Sequence, residues 1–300
     1  MAKKSGGGLL LLLVIVAGVL GYGYFRSQQG SSAEPPAPPG SEAGGGVGRY
    51  VALGDSYTSA PRTGAQAGTP AGCQRSDNNY PHLVAAALNP AEFADVSCGG
   101  ATTAHLSSAQ QTKDGTNPPQ LDAVNEATTL VTVGIGGNDV GFVALAGQCA
   151  TGDPAAGPCK ARLTAGGKDE LAAKVNATAA KISSVLTKIH DKAPNARVVV
   201  VGYPTILPDG NGCWPSLPIG APDVAYLRGS LTKMNAMLAE QAKKHQAGFA
   251  DTAAMTKGHD LCAASGTRWV EGLIPSAAAI ALHPNAAGAR AMADAVRKVL

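Results

Sequence analysis

From residue 49 onward the chain alternates short, unbroken apolar runs with segments whose apolar positions recur every three or four residues. The runs are Arg49–Gly54 (RYVALG), Leu130–Ile135 (LVTVGI) and Ala196–Gly202 (ARVVVVG). Continuous apolar, β-branched runs of this length predict strands covered on both faces. Between them, Leu171, Val175, Ile182, Val185, Leu186 and Ile189 repeat at helical spacing, and Pro194 closes the segment. Val224, Leu227, Leu231, Met234 and Leu238 do the same, and the alanine-rich tail Ala286–Leu300 reads as a last helix. Strand and helix in alternation predict an α/β fold: a three-layer sandwich with a mainly parallel central sheet and helices on both faces. The segment Gly141–Gly167 shows little periodicity and holds two cysteines and two prolines, which predicts a long loop pinned by a disulfide.

The pattern before residue 49 is different. Lys3 and Lys4 precede an uncharged stretch from Ser5 to Phe25, 21 residues long. As a helix this reaches about 30 Å, the thickness of a bilayer's hydrocarbon core. The lysines favour a cytoplasmic amino terminus and export of the remainder of the chain. A cleaved signal would need small residues just behind the apolar stretch, where Tyr22, Tyr24, Phe25 and Arg26 stand. Residues 1–29 are therefore expected to be a membrane anchor or signal segment, with the uncleaved anchor favoured. No cysteine precedes Cys73, so lipid attachment near the start has no acceptor thiol. Residues 30–48 are rich in Pro, Gly and Ser without periodicity and read as a linker. Residues 49–300 form the expected globular domain.

Composition narrows the function classes. Charged residues make up 15% of the 300 and the net charge is +3, which suits neither a disordered acidic chain nor a nucleic-acid binder. The segment before residue 49 carries three basic and two acidic residues, so the domain itself is close to neutral and charge does not name its partner. Six cysteines lie between Cys73 and Cys262, at intervals of 25, 51, 10, 54 and 49 residues. In an exported chain an even number favours disulfides, three here, with 15 possible pairings. No CxxC or close Cys/His spacing suggests zinc, and neither HExxH nor GxxxxGK[ST] occurs.

Ligands of parallel α/β sheets sit beyond the carboxyl ends of the strands. The first strand ends in Gly54-Asp55-Ser56-Tyr57 and the second in Gly136-Gly137-Asn138-Asp139, and near the end of the chain stands Leu282-His283-Pro284-Asn285. Each alone is an ordinary turn or a structural histidine. Together, in this order, they supply a hydroxyl nucleophile, an amide donor and an imidazole base.

These blocks resemble those of the GDSL-type esterases of the SGNH hydrolase superfamily. The resemblance runs from about residue 49 to 300 and implies Ser56 as nucleophile, with Ser59 a weaker alternative, and His283 as general base and acid. For the oxyanion hole it implies the Ser56 N–H, Asn138, and Gly100 from Cys98-Gly99-Gly100-Ala101, with Gly99 as fallback. The wider pattern (Cys73-Gln74-Arg75-Ser76, Asn79-Tyr80-Pro81, Asp95-Val96-Ser97-Cys98) resembles secreted actinobacterial members, whose pairing implies Cys73–Cys98, Cys149–Cys159 and Cys213–Cys262. The family uses no cofactor and no metal. Its substrates are acyl esters, small molecules or lipids.

One position departs from the pattern. Family members usually carry an aspartate three residues before the histidine, and here that residue is Ile280, in an acid-free run from Leu273 to Leu282. The resemblance then implies a Ser–His dyad in which a main-chain carbonyl, expected at Ile280, accepts the imidazole N–H. Glu271, Asp251 and Asp260 are the carboxylates that folding would have to bring near instead. His82, His105, His190 and His245 read as structural or surface histidines, and His259, near Cys262, as structural or lining the site. Asp55 and Asp139 are expected to hold turns through backbone N–H groups. The segments Gly141–Gly167 and Gly202–Pro222 are expected to shape an acyl pocket. Exported esterase or lipase is the leading expectation; an acyltransferase on cell-envelope lipids or glycans, or a catalytically impaired binding protein, are the alternatives.

Overall fold

Five parallel strands form the centre of the structure, a computed structural model that describes residues 47–300. The expected anchor or signal at 1–29, and all but the last two residues of the expected linker at 30–48, lie outside the described residues. Among the described residues no helix is long and apolar enough to cross a membrane. The strands are β1 (Arg49–Gly54), β2 (Glu92–Asp95), β5 (Thr128–Gly134), β6 (Arg197–Val201) and β7 (Gly248–Ala250), in the spatial order β2-β1-β5-β6-β7. A small antiparallel hairpin, β3 (Gln110–Thr112) and β4 (Gly115–Asn117), stands apart from the sheet. The three strands legible in the sequence are the three central ones. Their side chains are buried on both faces: Tyr50 to Leu53, Val131, Val133 and Val198 to Val201.

The direction of the connections sets the layers. From β1 the chain passes through helix Tyr80–Leu88 to β2 at one edge; from β5 it passes through Glu170–Lys192 to β6 and through Ala221–Lys244 to β7 at the other. Right-handed crossovers running in opposite directions put their helices on opposite faces. Glu170–Lys192 and Ala221–Lys244 accordingly pack on each other, and the final helix Ala286–Arg297 packs on Tyr80–Leu88. The direction reverses between β1 and β5, and a crevice opens there at the carboxyl ends of the strands.

The segment Gly141–Gly167 departs from its expectation as a loop. It holds two short helices, Phe142–Gln148 and Pro158–Leu163, each too short for apolar periodicity to show. The disulfides are Cys73–Cys98, Cys149–Cys159 and Cys213–Cys262, the pairs implied by the resemblance.

Candidate active site

β1 ends at Gly54, whose N–H and C=O are both clamped by the buried Gln120 side chain, at 2.8 and 2.9 Å. The chain then turns into a single helical turn, Ser56–Ser59, capped by Asp55, whose Oδ1 accepts the Tyr57 N–H at 2.9 Å. This turn presents Ser56 at the crevice. From the other end of the sequence His283 meets it: its Nε2 lies 2.8 Å from Ser56 Oγ. Both are nearly buried, Ser56 at 7% exposure and His283 at 4%. The Ser59 hydroxyl is buried and bonds neither the histidine nor any other group among the described residues.

The other ring nitrogen corrects the sequence expectation by one residue. His283 Nδ1 lies 2.8 Å from the main-chain oxygen of Ala281, not Ile280. The Ile280 carbonyl is spent on closing a turn, where it accepts the backbone N–H of His283 at 3.3 Å. Within that turn Leu282 takes a positive φ of 64°, and its carbonyl accepts the Tyr57 hydroxyl at 2.7 Å. A carbonyl can only accept, so Nδ1 carries the ring proton and Nε2 is left to accept from the serine hydroxyl. Burial pushes the His283 pKa below its ordinary value, against a smaller upward pull from the Ala281 carbonyl. Burial therefore favours the neutral imidazole. Tyr57 also stacks on its ring, with centroids 4.7 Å apart.

No carboxylate among the described residues reaches that ring. Glu271 is buried beside the histidine segment, but its carboxylate accepts from Ser276 N–H (2.7 Å) and Asn285 Nδ2 (2.7 Å). Burial works to raise its pKa, yet the Ser276 N–H, the Asn285 amide, the Ser276 hydroxyl and the Arg268 charge together hold it below the usual value. Its backbone grips the same segment from both sides, through Glu271 N–H to His283 C=O (2.9 Å) and Leu282 N–H to Glu271 C=O (3.1 Å). Asp251 and Asp260 cap the backbone at Ala254 and Cys262. Sequence spacing carries no sign of the Glu271 clamp.

The remaining blocks join each other through Asn138, which shares the crevice with Ser56 and bonds the Gly100 segment at Ala101. Gly99 donates its N–H to the Cys73 carbonyl at 2.9 Å, whereas the Gly100 N–H has no acceptor among the described residues. Gly100 sits at φ 76°, where a Cβ is disfavoured. Asn138 lines the crevice with Ser56, and one of its amide hydrogens goes to Ala101 C=O at 2.8 Å, leaving the other free. Asp139 ties these blocks together by accepting from Thr103 N–H and hydroxyl at 2.9 and 2.7 Å. The other histidines stand elsewhere: His82 bonds Asn79, His105 closes on Thr102, and His190 and His245 join helix ends. His259 stacks flat on Trp269, with 3.5 Å between centroids, and does not line the crevice.

Beside Ser56 the crevice runs into a mainly apolar slot. Tyr57, Phe142, Val143, Ile206 and Leu231 line both; Leu207, Leu217, Ile219 and Leu261 continue the slot. Both segments expected to shape an acyl pocket thus contribute to it. Among the described residues the single grouping of metal-ligand types is Cys149, Cys159 and Asp223, whose sulfurs form a disulfide and whose carboxylate accepts from two backbone N–H groups.

Comparison with known proteins assigns the family. The profile of the GDSL-like lipase/acylhydrolase family matches residues 52–291. Lipase 2 of Streptomyces coelicolor is 38% identical over 260 residues, covering 84% of this chain and 85% of its own. Crystal structures of phospholipase A1 from Streptomyces albidoflavus (TM-score 0.68, 29% identity) and of an extracellular lipase from Streptomyces rimosus (0.64, 28%) each match 85% of this chain and 100% of their own.

Proposed function

The chain belongs to the GDSL-like lipase/acylhydrolase family and is a carboxylic ester hydrolase, and from that premise we propose that Ser56 and His283 carry the reaction as a dyad. The observation behind this is the 2.8 Å contact from His283 Nε2 to Ser56 Oγ, with the ring's other nitrogen fixed on a main-chain carbonyl. Ser56 Oγ attacks the acyl carbonyl carbon while its proton passes to Nε2. The carbonyl oxygen becomes an oxyanion, met by the Ser56 and Gly100 N–H groups and the free Asn138 amide hydrogen; one such donor is worth about 3–4 kcal/mol of barrier. Collapse breaks the ester C–O bond, and the proton on Nε2 goes to the departing alcohol. Water then attacks the acyl-enzyme along the same route and returns Ser56 to its hydroxyl form.

In this reading Ala281 C=O does the orienting work of the missing aspartate. It fixes the tautomer and the ring plane, and stabilises the imidazolium through a dipole rather than a full charge. Tyr57 and the Glu271 clamp hold the histidine segment in register with the serine. The apolar slot takes the acyl chain, and the lipases and phospholipase among the relatives favour a lipid ester as substrate. Export fits both the extracellular lipase among the relatives and three disulfides, which persist in oxidising compartments.

The test uses purified residues 49–300 against p-nitrophenyl esters from acetyl to palmitoyl. Ser56→Ala and His283→Ala should each lower turnover by about 10³-fold or more. Ile280→Ala should keep most of it, since its side chain serves neither ring nitrogen. Folded enzyme that is inert on every ester but transfers acyl groups to an added alcohol would turn the assignment toward a transferase.

A further inference from the structure

Tyr203 stands two residues past the end of β6, within the segment Gly202–Pro222, and the sequence pattern gives it no role of its own. Its ring is buried at 4% exposure. Its backbone is held from both sides by one side chain of helix Ala221–Lys244: Asn235 Oδ1 accepts the Tyr203 N–H and Asn235 Nδ2 donates to the Tyr203 C=O, both at 2.8 Å. The side chain is therefore aimed by a rigid mount. Its hydroxyl reaches two groups. It accepts the Gly137 N–H at 2.7 Å and donates to Asp55 Oδ2 at 2.6 Å.

Chemistry fixes the direction of these two hydrogen bonds. An N–H can only donate, so one lone pair of the hydroxyl faces Gly137, and its single proton goes to the carboxyl oxygen. Asp55 immediately precedes Ser56, and Gly137 immediately precedes Asn138. The hydroxyl thus bridges the loop that carries the nucleophile and the loop that carries the amide donor, from a third strand. Asn138 to Ala101 and Asp139 to Thr103 tie the Asn138 loop to the Gly100 segment instead, and Lys181 of helix Glu170–Lys192 pairs with Asp139 at 2.9 Å. Gly137 is fitted to the bridge: a Cβ there would lie 2.9 Å from the Tyr203 hydroxyl oxygen.

We propose that Tyr203 is a positioning residue for ester hydrolysis, its hydroxyl setting the distance between Ser56 and the Asn138 donor. The proposal rests on the dyad and oxyanion reading above. Oxyanion donors act only when placed to a fraction of an ångström for the charged intermediate, and hold ground-state substrate weakly. Loss of the bridge therefore acts on kcat rather than KM, and acts through Asn138.

The experiment measures kcat and KM on p-nitrophenyl butyrate for the wild type, Tyr203→Phe, Asn138→Ala and the double variant, with thermal melts alongside. Tyr203→Phe should lower kcat by about 10- to 100-fold with KM within about threefold. In the Asn138→Ala background the same change should cost less than about threefold, because the donor it positions is gone. Gly137→Ala, which displaces the hydroxyl from the other side, should show the same kcat loss and the same masking, and it carries the test should Tyr203→Phe fail to fold. A kcat within about threefold of wild type, losses that multiply in the double variant, or KM rising in step with the kcat loss would each overturn the proposal. Ser56→Ala separates the two levels. If it retains turnover, the site assignment falls and the bridge with it; if it abolishes turnover while both bridge variants stay near wild type, the bridge alone falls.

Discussion

At Asp55 two demands on one side chain compete. Burial raises its pKa from the usual 3.8 to about 7, against the downward pull of the Tyr203 hydroxyl and the Tyr57 N–H, with Asp139 adding a small rise. The position next to the serine makes it tempting to read such a carboxyl as a catalytic acid, but its oxygens are occupied by the turn and the bridge. Its titration bears on stability instead. A folded pKa above the unfolded one favours the protonated form in the fold. That stabilisation is fully present below about pH 4 and is lost as pH rises through about 7. Asp55→Asn removes the titration. Between about pH 4 and 8 the wild type should lose several degrees of melting temperature relative to the variant. Parallel melting curves across that range would show that Asp55 stays ionised in the fold.

Elements carry the site where single residues leave off. The segment Cys98–Ala101 is irregular; the Cys73–Cys98 disulfide and the Gly99 N–H on the Cys73 carbonyl tie it to Cys73, beside bonds to Gly54, Gln110 and Asn138. Replacing both cysteines by serine opens a loop of 25 residues, at a typical cost of about 3 kcal/mol, and also loosens the segment of Gly100, the proposed oxyanion donor. The Cys73→Ser/Cys98→Ser variant should therefore lose both melting temperature and kcat. Cys213→Ser/Cys262→Ser should lose melting temperature but keep kcat on acetyl esters within about threefold, since that bridge holds neither donor nor dyad. Equal kcat losses from the two pairs would contradict this division.

The same scale shows what the sequence could convey. The blocks that hold Ser56, Asn138 and His283 were legible because each lies at a strand end or before a helix, whereas Gly100 entered only through the family resemblance. Ala281 was missed by one residue because the positive φ at Leu282 decides which carbonyl faces the ring, and no pattern of side chains announces a turn at a leucine. The roles of Tyr203 and of Glu271, which stood only among the candidate carboxylates, were silent because they come from contacts that only the fold makes, to residues 148 and 14 positions away. The edge strands β2 and β7, four and three residues long, were too short and too exposed to print an apolar run.

For the whole molecule, the reversal of strand order between β1 and β5 brings together residues from both ends of the domain, and the apolar slot proposed for the acyl chain is assembled the same way. Its walls come from Tyr57, from Phe142 and Val143, from Ile206 to Ile219, and from Leu227, Leu261 and Leu282. Helix Phe142–Gln148, capped by Gly141, leaves Val143 40% exposed where the slot meets the crevice at Ser56. Val143→Trp puts an aromatic ring where the chain passes while disturbing little of the core. Acetyl ester hydrolysis should stay within about twofold of wild type, because an acetyl group does not reach past the crevice at Ser56. Octanoyl ester hydrolysis should fall by about 10-fold or more in kcat/KM, since each methylene denied its apolar contact is worth about 1–3 kcal/mol. Equal losses on both esters would mean that the substituted ring disturbs Ser56 itself. An unchanged octanoyl rate would mean that the chain leaves the crevice by another face, away from the slot behind Tyr57.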